Sequence, residues 1–381
     1  MVEVALRPRT GSGRLIEWQR GLDWSILMAA VALLGAGLLL SLAAGPPAAE
    51  RLGYSDSFYF VKRHAMFVGA AVTVLVGVSL LDRVWARRLA ALVFIGSIAL
   101  LAFILVSGYE AKGARRWIRL GSFGLQPSEF VKPALIVLAG WLLAQRQIYP
   151  KGPWAAITLV FFCVTLGFLL LQPDVGQSAL LTAAFVITFF VSGLPWRWAA
   201  IFAGGAAGLS SLLYVTLPHV RFRVNSFLNP SEYDTYQIDK ASEAIGRGGL
   251  FGVGPGEGTI KTSLPDAHTD FVYAVMGEEF GFIAAIGLIF VFGFIVWKGL
   301  RAAARLHDPY PRAAATGLFA LFGLHAAINI AVNVSLIPPK GMTLPFISSG
   351  GSSMMGTALT LGLALALIRR GQTSVKAWNE R

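Results

Sequence analysis

The sequence has one cysteine, Cys163, and it lies inside an apolar run. A disulfide framework and a thiolate metal site are therefore excluded. Charge is scarce too: 14% of the 381 residues are Asp, Glu, Lys or Arg, against 55% hydrophobic residues. Acids are scarcer than bases, 20 against 32. No Gly-Lys-Ser/Thr follows a glycine-rich stretch, so there is no Walker nucleotide site. No internal repeat and no soluble second domain is legible. Arg7, Arg9, Arg14 and Arg20 precede the first apolar stretch, which is too long for a signal-peptide core and lacks a clear small-residue cleavage site. It reads as an uncleaved first helix.

What is present is apolar length. The mean hydropathy is +0.65, and each membrane crossing takes about 20 apolar residues. Spanning segments must be helices or a closed barrel, because lipid cannot satisfy backbone polar groups. The runs are continuous rather than alternating, which predicts an all-α polytopic membrane protein and not a barrel. Ten spans are expected, near 22–44, 61–81, 89–107, 127–144, 154–171, 176–193, 197–217, 271–297, 313–335 and 345–368. Residues 1–21 and 369–381 are then cytoplasmic tails around one membrane domain, 22–368. The net charge of +12 fits the positive-inside bias better than a nucleic-acid surface. With the N-terminus inside, the cytoplasmic segments carry 18 of the 32 lysines and arginines.

One short loop breaks that rule. Residues 108–132 place Lys112, Arg115, Arg116, Arg119 and Lys132 on the translocated side. Basic residues there work against insertion, so the loop is expected to bind an anion such as phosphate or pyrophosphate. A second outer segment, 218–270, is too long for a simple connector. Within it, Gly246–Gly258 has seven glycines in thirteen residues. Such a stretch suits either a phosphate cradle or a flexible re-entrant loop.

Three polar sites stand at the predicted outer ends of spans. Gln126-Pro127-Ser128-Glu129 opens the fourth, with Lys132 three residues past Glu129 on the same helix face. An ion pair with capping explains it; so does a site for sugar or phosphate near the outer surface. Pro265-Asp-Ala-His-Thr-Asp270 leads into the eighth span. An ionisable group at the mouth of a membrane segment is costly and points to function. Thr269 or Asp270 can also N-cap that helix. Asp270 is the stronger candidate for a general base; His268 is the weaker. Pro338–Ser353 holds Lys340, Ser348, Gly350, Gly351 and Ser352 among prolines that break the helix, and is expected to line a cavity. Asp270, Glu129, Glu278 and Glu279 supply enough oxygens for a magnesium or manganese site, though no spacing fixes their geometry.

Gly113-Ala-Arg-Arg-Trp-Ile-Arg-Leu-Gly121, Gln126-Pro-Ser-Glu-Phe-Val-Lys132, Ala267-His-Thr-Asp-Phe271 with Glu278-Glu279, and Lys340–Ser353 occur in that order. Together they resemble the SEDS family (shape, elongation, division and sporulation), over about residues 20–370. Asn329–Gly341 resembles the division branch more than the elongation branch. Ser349 departs from the family pattern, which usually has tyrosine there.

The resemblance implies polymerisation of peptidoglycan glycan strands from lipid II at the outer face of the cytoplasmic membrane. It implies work beside a class B penicillin-binding protein, a transpeptidase, and other division-complex membrane proteins at the septum. It also implies that Asp270 is the catalytic residue, with Glu129 and Lys132 important to function. On this reading Arg115, Arg116 and Lys132 stabilise a departing undecaprenyl pyrophosphate, with or without a divalent magnesium or manganese ion near Asp270 and Glu129. A lipid II flippase is the rival reading. It would need polar groups along the whole path, whereas here they gather at the outer ends of spans 4, 8 and 10.

Overall fold

The computed structural model describes residues 11–111, 114–121, 123–195, 197–229 and 235–370. Lys112 and tail residues 1–10 and 371–381 lie outside the described residues. The described chain runs α1 (Gly11–Gly21), α2 (Trp24–Arg51), α3 (Tyr59–Ser79), α4 (Arg83–Ser107), β1 (Tyr109–Ala111), β2 (Ala114–Leu120), β3 (Phe123–Leu125), α5 (Ser128–Ile148), α6 (Trp154–Leu171), α7 (Val175–Val191), α8 (Arg197–Thr216), α9 (Pro218–Leu228), α10 (Tyr236–Gly248), α11 (Ile260–Ser263), α12 (Val272–Ala304), α13 (Pro309–Asn333) and α14 (Gly351–Ile368).

Among the described residues, α2, α3, α4, α5, α6, α12, α13 and α14 are long and apolar enough to cross a membrane. A ninth crossing is broken: Ala200–Thr216 and Val220–Leu228 are bent 97° to each other. With α7, apolar but 17 residues long, all ten predicted runs become helices in a multi-pass membrane protein. Aspartates start several of them. Asp23, Asp82, Asp174 and Asp308 each accept a backbone N–H from the first turn of α2, α4, α7 and α13, which satisfies donors that a helix leaves unpaired. Near the two ends of the described chain, Arg370 N donates to Gly21 O at 3.2 Å.

Burial separates the middle of the bundle from its rim. The apolar windows of α5 and α14 are 89% and 83% buried, against 22% for α6 and 28% for α3, α4 and α12. Rim residues such as Leu92, Val106, Val160, Phe290 and Trp297 are exposed, a surface that suits lipid and not water. Between central helices small residues permit close approach. A side chain at Gly140 of α5 would meet Ala314 N of α13 at 2.7 Å, and one at Gly356 of α14 would meet Glu129 O at 2.7 Å.

Two features depart from the expected helices and loops. The basic loop folds as an antiparallel sheet of order β1-β2-β3. The long segment before α12 is largely helical, and Gly248, Gly252 and Gly258 of its glycine-rich stretch pack against Gly277–Glu279. α12 breaks at Gly281, where φ is +78°. The break frees backbone groups that the glycine-rich stretch then satisfies: Val253 N and Gly254 N donate to Glu278 O and Glu279 O, and Phe282 N and Ile283 N donate to Gly249 O and Leu250 O. A side chain at Gly252 or Gly281 would collide with the opposing backbone. Irregular backbone at this depth survives because protein supplies its partners.

Candidate functional site

The turn carrying Asp270 is built by its own backbone. Asp266 takes a left-handed conformation, φ +53°, which an aspartate tolerates better than most side chains. Its carbonyl then accepts from the N–H of Thr269, Asp270 and Phe271. Phe271, not Thr269 or Asp270, stands at the N-cap of α12, and no side chain caps that helix. The capping role expected for the two polar residues is thus overturned.

Asp270 is gripped through its main chain instead. Asn329 Nδ2 and Asn333 Nδ2, one turn apart on α13, each donate to Asp270 O at 2.9 Å. Asn329 also donates to Met342 O at 2.6 Å, and Asn333 Oδ1 accepts from Ala274 N at 3.1 Å. The carboxylate lies over Gly341: a β-carbon there would stand 3.6 Å from Asp270 Oδ2.

Arg223 ties that position to cations on two other elements. Arg223 of α9 lies within electrostatic reach of Asp270, Asp174 and Arg116, and of Lys340. Lys340 packs against the first turn of α7, 3.4 Å from where a β-carbon on Gly176 would stand. Burial lowers the pKa of the Lys340 ammonium, and Arg223 pushes it the same way. Arg116 Nε donates to Gln172 O at 2.9 Å, a second nitrogen donates to Pro173 O, and a third stands 3.7 Å from Asp174 Oδ1. Gln126 Nε2 reaches Asp174 Oδ2 at 3.4 Å. Burial raises the Asp174 carboxyl above its ordinary value, against the pull of Arg116 and Lys132.

Glu129 and Lys132 do not sit at the surface as expected. They are 4% and 2% exposed, because α5 is a central helix. Lys132 Nζ is 2.9 Å from Glu129 Oε2, Gln177 Nε2 donates to Glu129 Oε1 at 2.6 Å, and Lys132 also donates to Gln177 Oε1. His325 of α13 lies close enough to interact with both charges. This closed unit stands behind Asp174, so Lys132 is committed to protein partners. Ser128 Oγ is buried beside it without a hydrogen-bond partner among the described residues.

The remaining predicted residues divide. Ser348 Oγ donates to Thr269 O and accepts from Leu344 N at 2.7 Å. Ser352 Oγ donates to Gly124 O at 2.8 Å and accepts from Gln126 N at 3.1 Å. These serines tie the 340–352 segment to the Asp270 turn and to β3. That segment is not helical before Gly351, and Phe346 has φ +64°, so the last crossing begins later than predicted. Gly350 is the N-cap of α14, and Gly351 packs under the Phe67 ring. His268 is buried with its ring 4.6 Å from that of Phe60, on the other side of the turn. Arg115 is exposed on β2, one residue and hence one sheet face away from Arg116.

The four acids offered for a metal do not converge. Glu278 accepts from the N–H groups of Thr259, Ile260 and Lys261 at 2.7, 2.8 and 3.1 Å. Glu279 pairs with Lys261, whose Nζ also donates to Gly256 O. Among the described residues no three His, Cys, Asp or Glu side chains are placed to hold a metal ion.

Sequence reasoning missed Asp174, Gln177, Arg223, Asn329 and Asn333 as site residues. One signal was available: Asp174 is the only acid between Glu129 and Glu232.

The family model for FtsW, RodA and SpoVE, described as "Cell cycle protein", matches residues 24–373. The chain belongs to the FtsW/RodA/SpoVE family. Among family members, a probable peptidoglycan glycosyltransferase FtsW of Caulobacter vibrioides is 47% identical over 363 residues, 95% of this chain and 93% of the relative. A protein of the same description from Trichlorobacter lovleyi is 36% identical, covering 96% of each chain. Solved FtsW/RodA/SpoVE structures agree. A chain of a peptidoglycan synthase complex that coordinates polymerization and crosslinking superposes with a TM-score of 0.75 at 27% identity, over 91% of this chain and 97% of that one. The rod shape determining protein RodA of Thermus thermophilus gives 0.69 at 28% identity, over 92% and 98%.

Proposed function

We propose that this chain is a peptidoglycan glycosyltransferase that joins lipid II disaccharides into glycan strands during septal wall synthesis. The names of its relatives and its family support that reading. The observation that carries the chemistry is the Arg223 guanidinium within electrostatic reach of Asp270, Asp174 and Arg116, with Lys340 beside Arg223. Asp270 takes the proton from the 4-hydroxyl of the acceptor N-acetylglucosamine. The freed oxygen attacks C1 of the muramyl unit on the growing strand, with inversion. Undecaprenyl pyrophosphate leaves with the bonding electron pair.

Cations stabilise that developing charge. Arg116, Lys340 and Arg223 take this role. Lys132 is held by Glu129 and Gln177, and Arg115 lies on the other face of the sheet, so both give way to Lys340 and Arg223. General-base help is worth about 10²–10⁴ in rate.

The site end of the bundle faces outward from the cytoplasmic membrane, with both termini inside, and residues 22–368 form one membrane domain. The likeness to a chain of a peptidoglycan synthase complex supports a class B penicillin-binding protein as partner. The test is polymerisation of purified lipid II by wild type and Asp270→Asn protein, each with its partner. Loss of glycan product in the variant is expected. Retained product would refute the base assignment, and lipid II translocation without product in wild type would replace the reading with a flippase.

A further inference from the structure

On the far side of the Asp270 turn lies a cavity of about 140 Å³ between α3, β2–β3 and the start of α14. The turn itself is the partition, since Ser349 N donates to His268 O at 2.9 Å and the His268 ring packs on Phe60. Phe60, Arg63, His64, Phe67, Trp117 and Ser349 line the cavity together with Gly350 and Gly351.

Three independent features favour an anion there. His64 is 2% exposed; its Nδ1 lies 3.2 Å from Ser349 Oγ, but its Nε2 is buried with no hydrogen-bond partner among the described residues. A buried polar atom left unpaired is costly, and calls for a ligand or a water. Second, the cavity floor is the N-terminus of an 18-residue helix whose N-cap is Gly350, with no side-chain cap. First-turn N–H groups have no intrahelical acceptor and carry the positive end of the helix dipole. Third, the Arg63 guanidinium sits 5.9 Å and 5.7 Å from the ring centres of Phe67 and Phe123. Cation–π contact holds it at the cavity without neutralising it. The volume admits a small headgroup, well short of the 300 Å³ or so of a drug-sized site. Aromatic walls beside lipid-facing α3 residues such as Met66 suit a group attached to acyl or prenyl chains.

We infer that this cavity is a second lipid-phosphate site, distinct from the Arg116–Arg223–Lys340 cluster. The phosphate accepts from the first-turn N–H groups of α14, from His64 Nε2–H and from Arg63. It belongs either to an anionic phospholipid or to the pyrophosphate of a second lipid-linked substrate. The latter source rests on the polymerase reading, which must hold two such substrates at once; the site itself does not.

Native mass spectrometry of the full chain with its partner, carrying Asp270→Asn to prevent turnover, tests this. The probes are phosphatidylglycerol, lipid II and the phosphate-free control diacylglycerol. Arg63→Glu removes the cation, and Ser349→Phe fills the cavity. Both are expected to weaken binding of at least one phosphate-bearing probe about tenfold or more and to leave diacylglycerol unchanged. Arg223→Glu, on the opposite cluster, should leave phosphatidylglycerol binding unchanged. If lipid II displaces phosphatidylglycerol, the site takes substrate; if only phosphatidylglycerol binds, it takes membrane lipid. Unaltered binding of both phosphate probes in Arg63→Glu, or equal competition by diacylglycerol, would overturn the inference. Polymerisation by the Asp270→Asn protein would instead refute the proposed base and leave the phosphate site standing.

Discussion

Asp270 and Glu278 lie eight residues apart at the start of one helix, and the protein holds them in opposite ways. Glu278 is fully buried, and its side-chain oxygens are taken by three consecutive backbone N–H groups. Asp270 is held by its main-chain carbonyl, through Asn329 and Asn333. A carboxylate that accepts several N–H bonds is committed to its position. One fixed through its backbone is positioned while its side chain answers to the charges around it. The same helix mouth thus carries a structural acid and a chemical one, and the hydrogen bonds tell them apart.

The comparison breaks if the two acids respond alike. Asp270→Asn is expected to cut polymerisation by about 10² or more, with thermal unfolding in detergent within a degree or two of wild type. Glu278→Gln is expected to lose stability, on the order of 2 kcal/mol, because an amide offers one acceptor oxygen in place of a charged pair. A Glu278→Gln protein with unchanged unfolding and no activity would reverse the assignment.

The next effect concerns the cations. Lys340→Ala should lower kcat by roughly 10²-fold, the scale of losing one charge-stabilising donor. Its ammonium loses its proton at lower pH than a free lysine, because burial and Arg223 both disfavour the charge. Activity should therefore fall early on the alkaline side, and Lys340→Arg should push that limb to higher pH. An alkaline limb that does not move in the arginine variant would exclude Lys340 as its source.

How much of this was legible follows from how each residue is brought to the site. The ten crossings were legible because apolar length alone dictates them. Asp270 was legible because an acid at a helix mouth is conspicuous against hydrophobic sequence. Arg223 was not: it lies 47 positions before Asp270 among balanced charges, and α9, bent 97° from the helix before it, carries it within electrostatic reach of Asp270. Glu129 and Lys132 read as a surface pair because their spacing is the same in either setting; only the central place of α5 buries them. The sheet at 109–125 escaped notice because two of its strands have three residues each, too few for an alternating pattern. Asn329 and Asn333 were visible as a motif, but their role depends on which carbonyl they meet.

Asp174 offers a smaller effect with a definite sign. Its folded pKa is raised, chiefly by burial. The stability it contributes is present below its unfolded value and is lost as pH rises through the folded one. Asp174→Asn keeps a good N-cap and removes the buried charge. It should stabilise the protein at neutral pH by on the order of 1 kcal/mol, with the gain shrinking toward pH 4, while polymerisation falls. A variant less stable than wild type at pH 7 would show that the Arg116 contact outweighs desolvation.

Arg115 is expected to give the smallest effect and to sharpen the comparison within one strand. It and Arg116 are adjacent in a basic loop, and sequence alone assigns them the same anion. In the sheet they face opposite ways: Arg116 reaches Asp174 and two carbonyls at the head of α7, while Arg115 is exposed. Arg116→Ala should cost activity on the scale of Lys340→Ala, because it removes both a cation and the partner of a buried acid. Arg115→Ala should stay within about twofold of wild type, since exposed charges contribute little. Equal losses in the two variants, assayed with the same partner and lipid II, would mean that charge density in the loop matters and strand register does not.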